Sequence, residues 1–221
     1  MSKTYKITFQ LSAPLSFISP PTFDGVLSYA WAKEVLGDNF TQKLHIPQDE
    51  MVDFSKMPIT MHEKGYFMAS VMFWDKENMT EFTEKWRKRW HTTHDHLVNK
   101  PVKIRVQKGQ FKSYDVPYDL KDIRKVWFYF QSDDVEHVRY LVHTWIHFLG
   151  KKRAYGHGLI DSFDIEKSDF DFNAQPFRPI PQSLVNVSEI MKTPNFKFSI
   201  AYCSWRPPYH APENMAECIT I

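Results

Sequence analysis

The chain has 221 residues, 43% hydrophobic and 24% charged, which suits one globular domain with an insertion or two small domains and excludes global disorder. A net charge of only +2 means that any nucleic-acid site must come from local clusters of Lys and Arg. Cys203 and Cys218 are too few for a disulfide framework or a four-Cys zinc site, so a reducing compartment and no metal or other cofactor are expected.

Residues Tyr5, Ile7, Phe9 and Leu11 recur at every second position, the period of a half-buried strand, and the segment Pro14 to Pro21 ends it. The same amino-terminal stretch has no signal-peptide core. No segment approaches the roughly 18 to 20 apolar residues needed to cross a bilayer, so a cytoplasmic protein without membrane contact is expected.

Asp24 is placed to cap a helix through Leu27, Ala30, Trp31 and Val35, with Gly37 as its stop. A strand follows at Tyr66 to Trp74. Asn78 with Glu81 then reads as a capping box opening a second helix toward Leu97, and Val102 to Val106 alternates again. Val126 to Phe130 is strand-like. Asp133 with Glu136 starts an amphipathic helix through Val135, Val138, Leu141, Val142 and Trp145, which Gly150 ends, and Leu159 to Ile165 returns to period two.

This order predicts an α+β fold with a ferredoxin-like, or RRM-like, βαββαβ core over residues 1–167, interrupted by a thumb-like insertion at 75–124. Residues 168–221 hold half of the fourteen prolines and read as a wrapping tail with a strand at Phe196 to Tyr202.

Three of the seven glycines fall in Gly150-Lys151-Lys152-Arg153-Ala154-Tyr155-Gly156-His157-Gly158, between the best helix and the strand after it. Gly156 and Gly158 permit positive backbone dihedrals and a close approach of phosphates to main-chain amides. Lys151, Lys152 and Arg153 supply countercharge, Tyr155 a stacking surface for an unpaired base, and His157 a further contact. Taken alone, the segment reads better as a helix stop followed by solvated cations and an ordinary loop. It lacks the G-x-x-x-x-G-K-[ST] pattern of a Walker A loop, and it is no Rossmann fingerprint because it follows a helix and enters a strand.

Lys85-Trp86-Arg87-Lys88-Arg89-Trp90 interleaves cations with aromatics. Phe82, Trp86 and Trp90 are spaced by four, so the expected helix buries its tryptophans and leaves Lys85, Lys88 and Arg89 exposed to RNA. His91, His94 and His96 show no recognised metal-ligand spacing.

The glycine-rich segment, set after the last helix of such a core, resembles the glycine-rich loop of the RAMP superfamily of CRISPR proteins. Pro20-Pro21-Thr22-Phe23-Asp24-Gly25-Val26-Leu27-Ser28-Tyr29-Ala30 is similar to the small type IV, Cas five-like subunit that caps the 5′ handle of the guide RNA. The resemblance implies a structural, non-enzymatic subunit that grips the crRNA handle at the foot of the backbone filament. Its partners would be the backbone and large subunits and, within the complex, target DNA. Two other readings stand beside it. One is a metal-independent endoribonuclease for repeat RNA with His157 in acid-base catalysis, and the other is a protein-interaction module that never touches RNA.

Overall fold

A computed structural model describes residues 2–38, 40, 52–91, 105, 107–108, 112–172, 177–185 and 198–220. Its strands are β1 (Lys3–Leu11), β2 (Phe73–Trp74), β3 (Thr80–Lys88), β4 (Tyr114–Asp122), β5 (Lys125–Ser132), β6 (Ile160–Lys167), β7 (Ile180–Pro181), β8 (Ser199–Ser204) and β9 (Met215–Thr220). The α-helices whose two ends both lie among the described residues are α1 (Phe23–Leu36) and α2 (Val135–Trp145). Together they make an α+β architecture of three antiparallel sheets: β2-β5-β1-β6, the hairpin β3-β4, and β7-β9-β8.

The alternation of β1 buries Ile7, Phe9 and Leu11 against Val126, Phe128 and Phe130 of β5 and Ile165 of β6. Phe23, Leu27 and Ala30 of α1 and Val138, Leu141 and Val142 of α2 belong to this cluster, so both helices cover one face of the four-stranded sheet. A smaller cluster of Tyr66, Met68, Phe172, Phe177 and Ile180 joins the carboxyl-terminal part to the segment before β2. There Phe170 stacks on Tyr129 at 4.1 Å.

The helix ends differ from expectation in instructive ways. Thr22, not Asp24, caps α1, its hydroxyl accepting from the Gly25 amide at 3.3 Å, while Gly37 ends the helix with φ 51° as expected. The cap of α2 is Asp134, one residue beyond Asp133. That helix ends at Trp145 with Ile146 as its cap, so Gly150 is a loop residue and not the helix stop.

Tyr66 to Trp74 is extended, yet only Phe73–Trp74 forms a ladder. Its upstream part alternates partners. Met68 donates to the Thr60 carbonyl, Ser70 to that of Tyr129, and Val71 to that of Phe177, so no single neighbour supplies a continuous register.

The helix expected from Asn78 is instead strand β3, paired residue by residue with β4 from Thr80↔Asp122 to Lys88↔Tyr114. A spacing of four is even, so Phe82 and Trp86 share a strand face as readily as a helix face. The β-branched Thr80 and Thr83 and the aromatic pairing across the hairpin favour the strand. Of the Val102 to Val106 alternation, only Arg105 falls among the described residues.

Candidate nucleic-acid interface

The glycine loop is held from below by the Pro14–Ser16 strip. Gly158 donates its amide to the Pro14 carbonyl at 2.8 Å, and Lys151 donates to that of Ser16 at 2.7 Å. On the strip's other edge Leu15 exchanges two backbone bonds with Lys121 at the end of β4, so one short strip ties the loop to the hairpin.

The three glycines have different work. A Cβ on Gly158 would lie 2.0 Å from the Leu149 carbonyl oxygen, and one on Gly150 would lie 2.6 Å from that of Ser16, so both are required by packing as well as by their positive φ. Gly156 also has a positive φ, 83°, but a Cβ there would meet nothing within 4 Å. The space beside it is open, while its amide donates to the Arg153 carbonyl at 2.9 Å.

The cations divide in the same way. Lys151 and Arg153 are exposed and make no ion pair among the described residues. Lys152, the one positive-φ residue that is not glycine among those described, turns inward, its ammonium 3.6 Å from the Trp86 ring centre and 5.5 Å from that of Tyr118. Tyr155 is 52% exposed and meets Trp86 edge-on at 5.8 Å.

Trp86 is thus neither a buried helix residue nor a free stacking platform. It is the seat on which the hairpin receives Lys152 and Tyr155. Next to it the His157 Nε2 lies 3.0 Å from the Tyr118 hydroxyl, which donates to Glu84 Oε2 at 2.7 Å. With the hydroxyl proton directed at Glu84, His157 is the donor to Tyr118, and the chain His157–Tyr118–Glu84 runs from loop to hairpin. Burial, reinforced by the bond to Glu84 and its charge, pushes the Tyr118 phenol up to about 12.

The other basic candidates lie away from this junction. Lys85 is on the face of β3 opposite Trp86, exposed and without an ion pair among the described residues. Arg89 shares Asp115 with Arg87, at 3.9 and 3.2 Å, and Lys88 pairs with Tyr114 in register at the end of the hairpin. His91 is exposed, whereas His94 and His96 lie outside the described residues; among those described, no cluster of three metal-ligating side chains occurs.

The motif Pro20 to Ala30 serves packing to a degree its sequence did not reveal. Asp24 is fully buried and paired at 3.0 Å with the equally buried Arg178 from the carboxyl-terminal part. The Tyr209 hydroxyl donates to the same Asp24 oxygen at 2.9 Å, and Arg178 donates to the Phe67 carbonyl at 2.8 Å. A Cβ on Gly25 would approach the Tyr209 ring to 3.0 Å, so glycine lets the helix start pass beneath it.

No helix among the described residues is long and apolar enough to cross a membrane. No curated protein matches the chain. A family model described as CRISPR type IV associated protein Csf3 matches residues 55–220, a span that takes in the hairpin, the glycine loop and Arg178. With three quarters of its length covered, the chain belongs to the Csf3 family of type IV CRISPR-associated proteins.

Proposed function

We propose that this chain is a guide-RNA-binding structural subunit of a type IV CRISPR effector complex, gripping the repeat-derived 5′ handle with its glycine loop and capping the backbone filament. The observation that carries this reading is the pair of exposed cations Lys151 and Arg153 beside the unobstructed surface at Gly156. Phosphates are held by such cations without base specificity, which suits an effector whose guide reads sequence by pairing. The partners are the crRNA handle, the backbone and large subunits and, within the complex, target DNA.

The strand order β2-β5-β1-β6 with both helices on one face supports a ferredoxin-like core spanning residues 1–167. The hairpin β3-β4, leaving between the second and third strands of that core, supports a thumb. The pairing of Arg178 with Asp24 at the start of α1 supports reading residues 168–221 as an extension that clasps the core.

Holding rather than cutting RNA is supported by His157. Its side chain is 12% exposed and held by Tyr118 at the loop–hairpin junction, whereas a base or acid at a 2′-hydroxyl needs a ring nitrogen open to the substrate. The test is co-expression with the partner subunits and a repeat-containing transcript. Co-purifying guide RNA, lost from this subunit when Lys151 and Arg153 are both changed to Ala, supports the reading. Repeat RNA cut by the chain alone, with cutting abolished by His157→Ala, makes it a processing nuclease. A stable complex that binds without RNA and is indifferent to those changes makes it an interaction module.

A further inference from the structure

Beside the loop lies a cleft of about 320 Å³, bounded by the Phe17–Pro21 segment, the first turns of α1, the end of α2 and the loop itself. Its lining is two-sided. Phe17, Ile18, Tyr29 and Trp145 give it an apolar, largely aromatic interior, and Lys151 and Arg153 stand at its loop side. Ile18 is 87% exposed, an apolar side chain left in water at the cleft. The Arg153 guanidinium lies 4.9 Å from the Tyr29 ring centre, so cation and aromatic surface are already joined.

An inorganic anion would leave the aromatic interior unused, and an aliphatic ligand would leave the cations unused. A flat apolar group carrying an anion on one side satisfies both, and the volume lies at the lower end of the roughly 300–1,000 Å³ range of small-ligand pockets. We infer that the cleft receives one unpaired nucleotide of the bound RNA, its base against Tyr29 and its phosphate at Lys151 and Arg153. This rests on the RNA-binding reading above and adds a base-dependent contact to it. A paired base is stacked within its helix, so the nucleotide enters only where the RNA is single-stranded.

The test is an abasic scan. Repeat RNA with one base removed at each position in turn is titrated against the full chain, as wild type, Tyr29→Ala, Tyr29→Phe and Ile18→Ala, with thermal unfolding confirming that each variant is folded. Expected is one position at which base removal weakens wild-type binding roughly tenfold, the scale of one base–aromatic stack. That loss should vanish in Tyr29→Ala, persist in Tyr29→Phe and shrink in Ile18→Ala, while the salt dependence stays that of the wild type. Ile18 is exposed, so its variant separates the cleft from any folding defect of Tyr29→Ala.

A flat scan, or a loss unaltered by Tyr29→Ala and Ile18→Ala, overturns the cleft assignment even if binding still depends on Lys151 and Arg153. Absence of RNA binding with the partner subunits present overturns the RNA-binding reading as well. Free mononucleotides provide the remaining arm. Competition by AMP, GMP, CMP or UMP at the abasic-sensitive step supports a nucleotide pocket, and selection of free nucleotide over RNA overturns its assignment to the guide.

Discussion

The ammonium of Lys152 sits 3.6 Å from the centre of the Trp86 ring, joining the glycine loop to the inserted hairpin through a residue held at φ 63°. A positive φ is unfavourable for a residue with a Cβ, and the contact with the indole helps offset it. Lys152 is therefore a clasp residue, while its neighbours Lys151 and Arg153 face outward. A double-mutant cycle of Lys152→Ala and Trp86→Ala, read by urea unfolding, should return a coupling of about 0.5–2 kcal/mol. Additive single effects would refute the clasp.

The glycines should differ in sensitivity. Gly156→Ala places a Cβ in open space and suffers only the positive φ, a cost of about 1–2 kcal/mol. Gly158→Ala adds a collision with the Leu149 carbonyl and should be clearly more destabilising. Thermal unfolding of the two variants side by side reads the order, and equal losses would contradict the packing described.

Asp24 and Arg178 are both fully buried, so removing one leaves the other charged and unpaired. Asp24→Ala should cost about 3–5 kcal/mol in urea unfolding. Asp24 Oδ1 and Arg178 Nε already lack partners among the described residues, so the pair is incompletely satisfied. The double change Asp24→Leu with Arg178→Met should therefore cost much less than the two single changes added together. Full additivity would mean that the pair is not coupled.

The raised Tyr118 phenol has a pH signature. Its folded-state value, about 12, lies above the ordinary value of 10, so the folded state holds the proton more tightly. The resulting stability is fully present below pH 10 and is lost as pH rises through 12. Tyr118→Phe should flatten the fall in melting temperature over that window and remove one late component of the phenolate absorbance change. Superimposable wild-type and variant curves would refute the hydroxyl's part in the loop–hairpin junction.

The elements with a clear pattern are legible in the sequence: β1, β5 and β6 follow their alternation, and α1 and α2 occur where expected although Thr22 and Asp134 replace the expected amino-terminal caps and α2 ends before Gly150. The hairpin was misread because Phe82, Trp86 and Trp90 keep a spacing that helix and strand share. A signal against the helix was present downstream, where Tyr114, Val116, Tyr118 and Leu120 alternate cleanly and need a strand partner. The loop was located correctly, but nothing local distinguishes Lys152 from Lys151. That distinction arises only when β3 brings Trp86 beneath the loop. The pairing of Asp24 with Arg178 is a similar case, since each stands in a segment whose pattern does not reveal its distant partner.

The most direct measurement of the central claim is a titration of labelled repeat RNA against the purified chain at a series of salt concentrations, in wild type and in Lys151→Ala with Arg153→Ala. The account predicts preference for repeat over scrambled RNA, uncut RNA throughout, and a variant that binds more weakly with a shallower log–log salt slope. The slope should fall by about 0.7 for each phosphate contact removed from a single strand. Equal affinities and equal slopes in the two proteins would contradict the account.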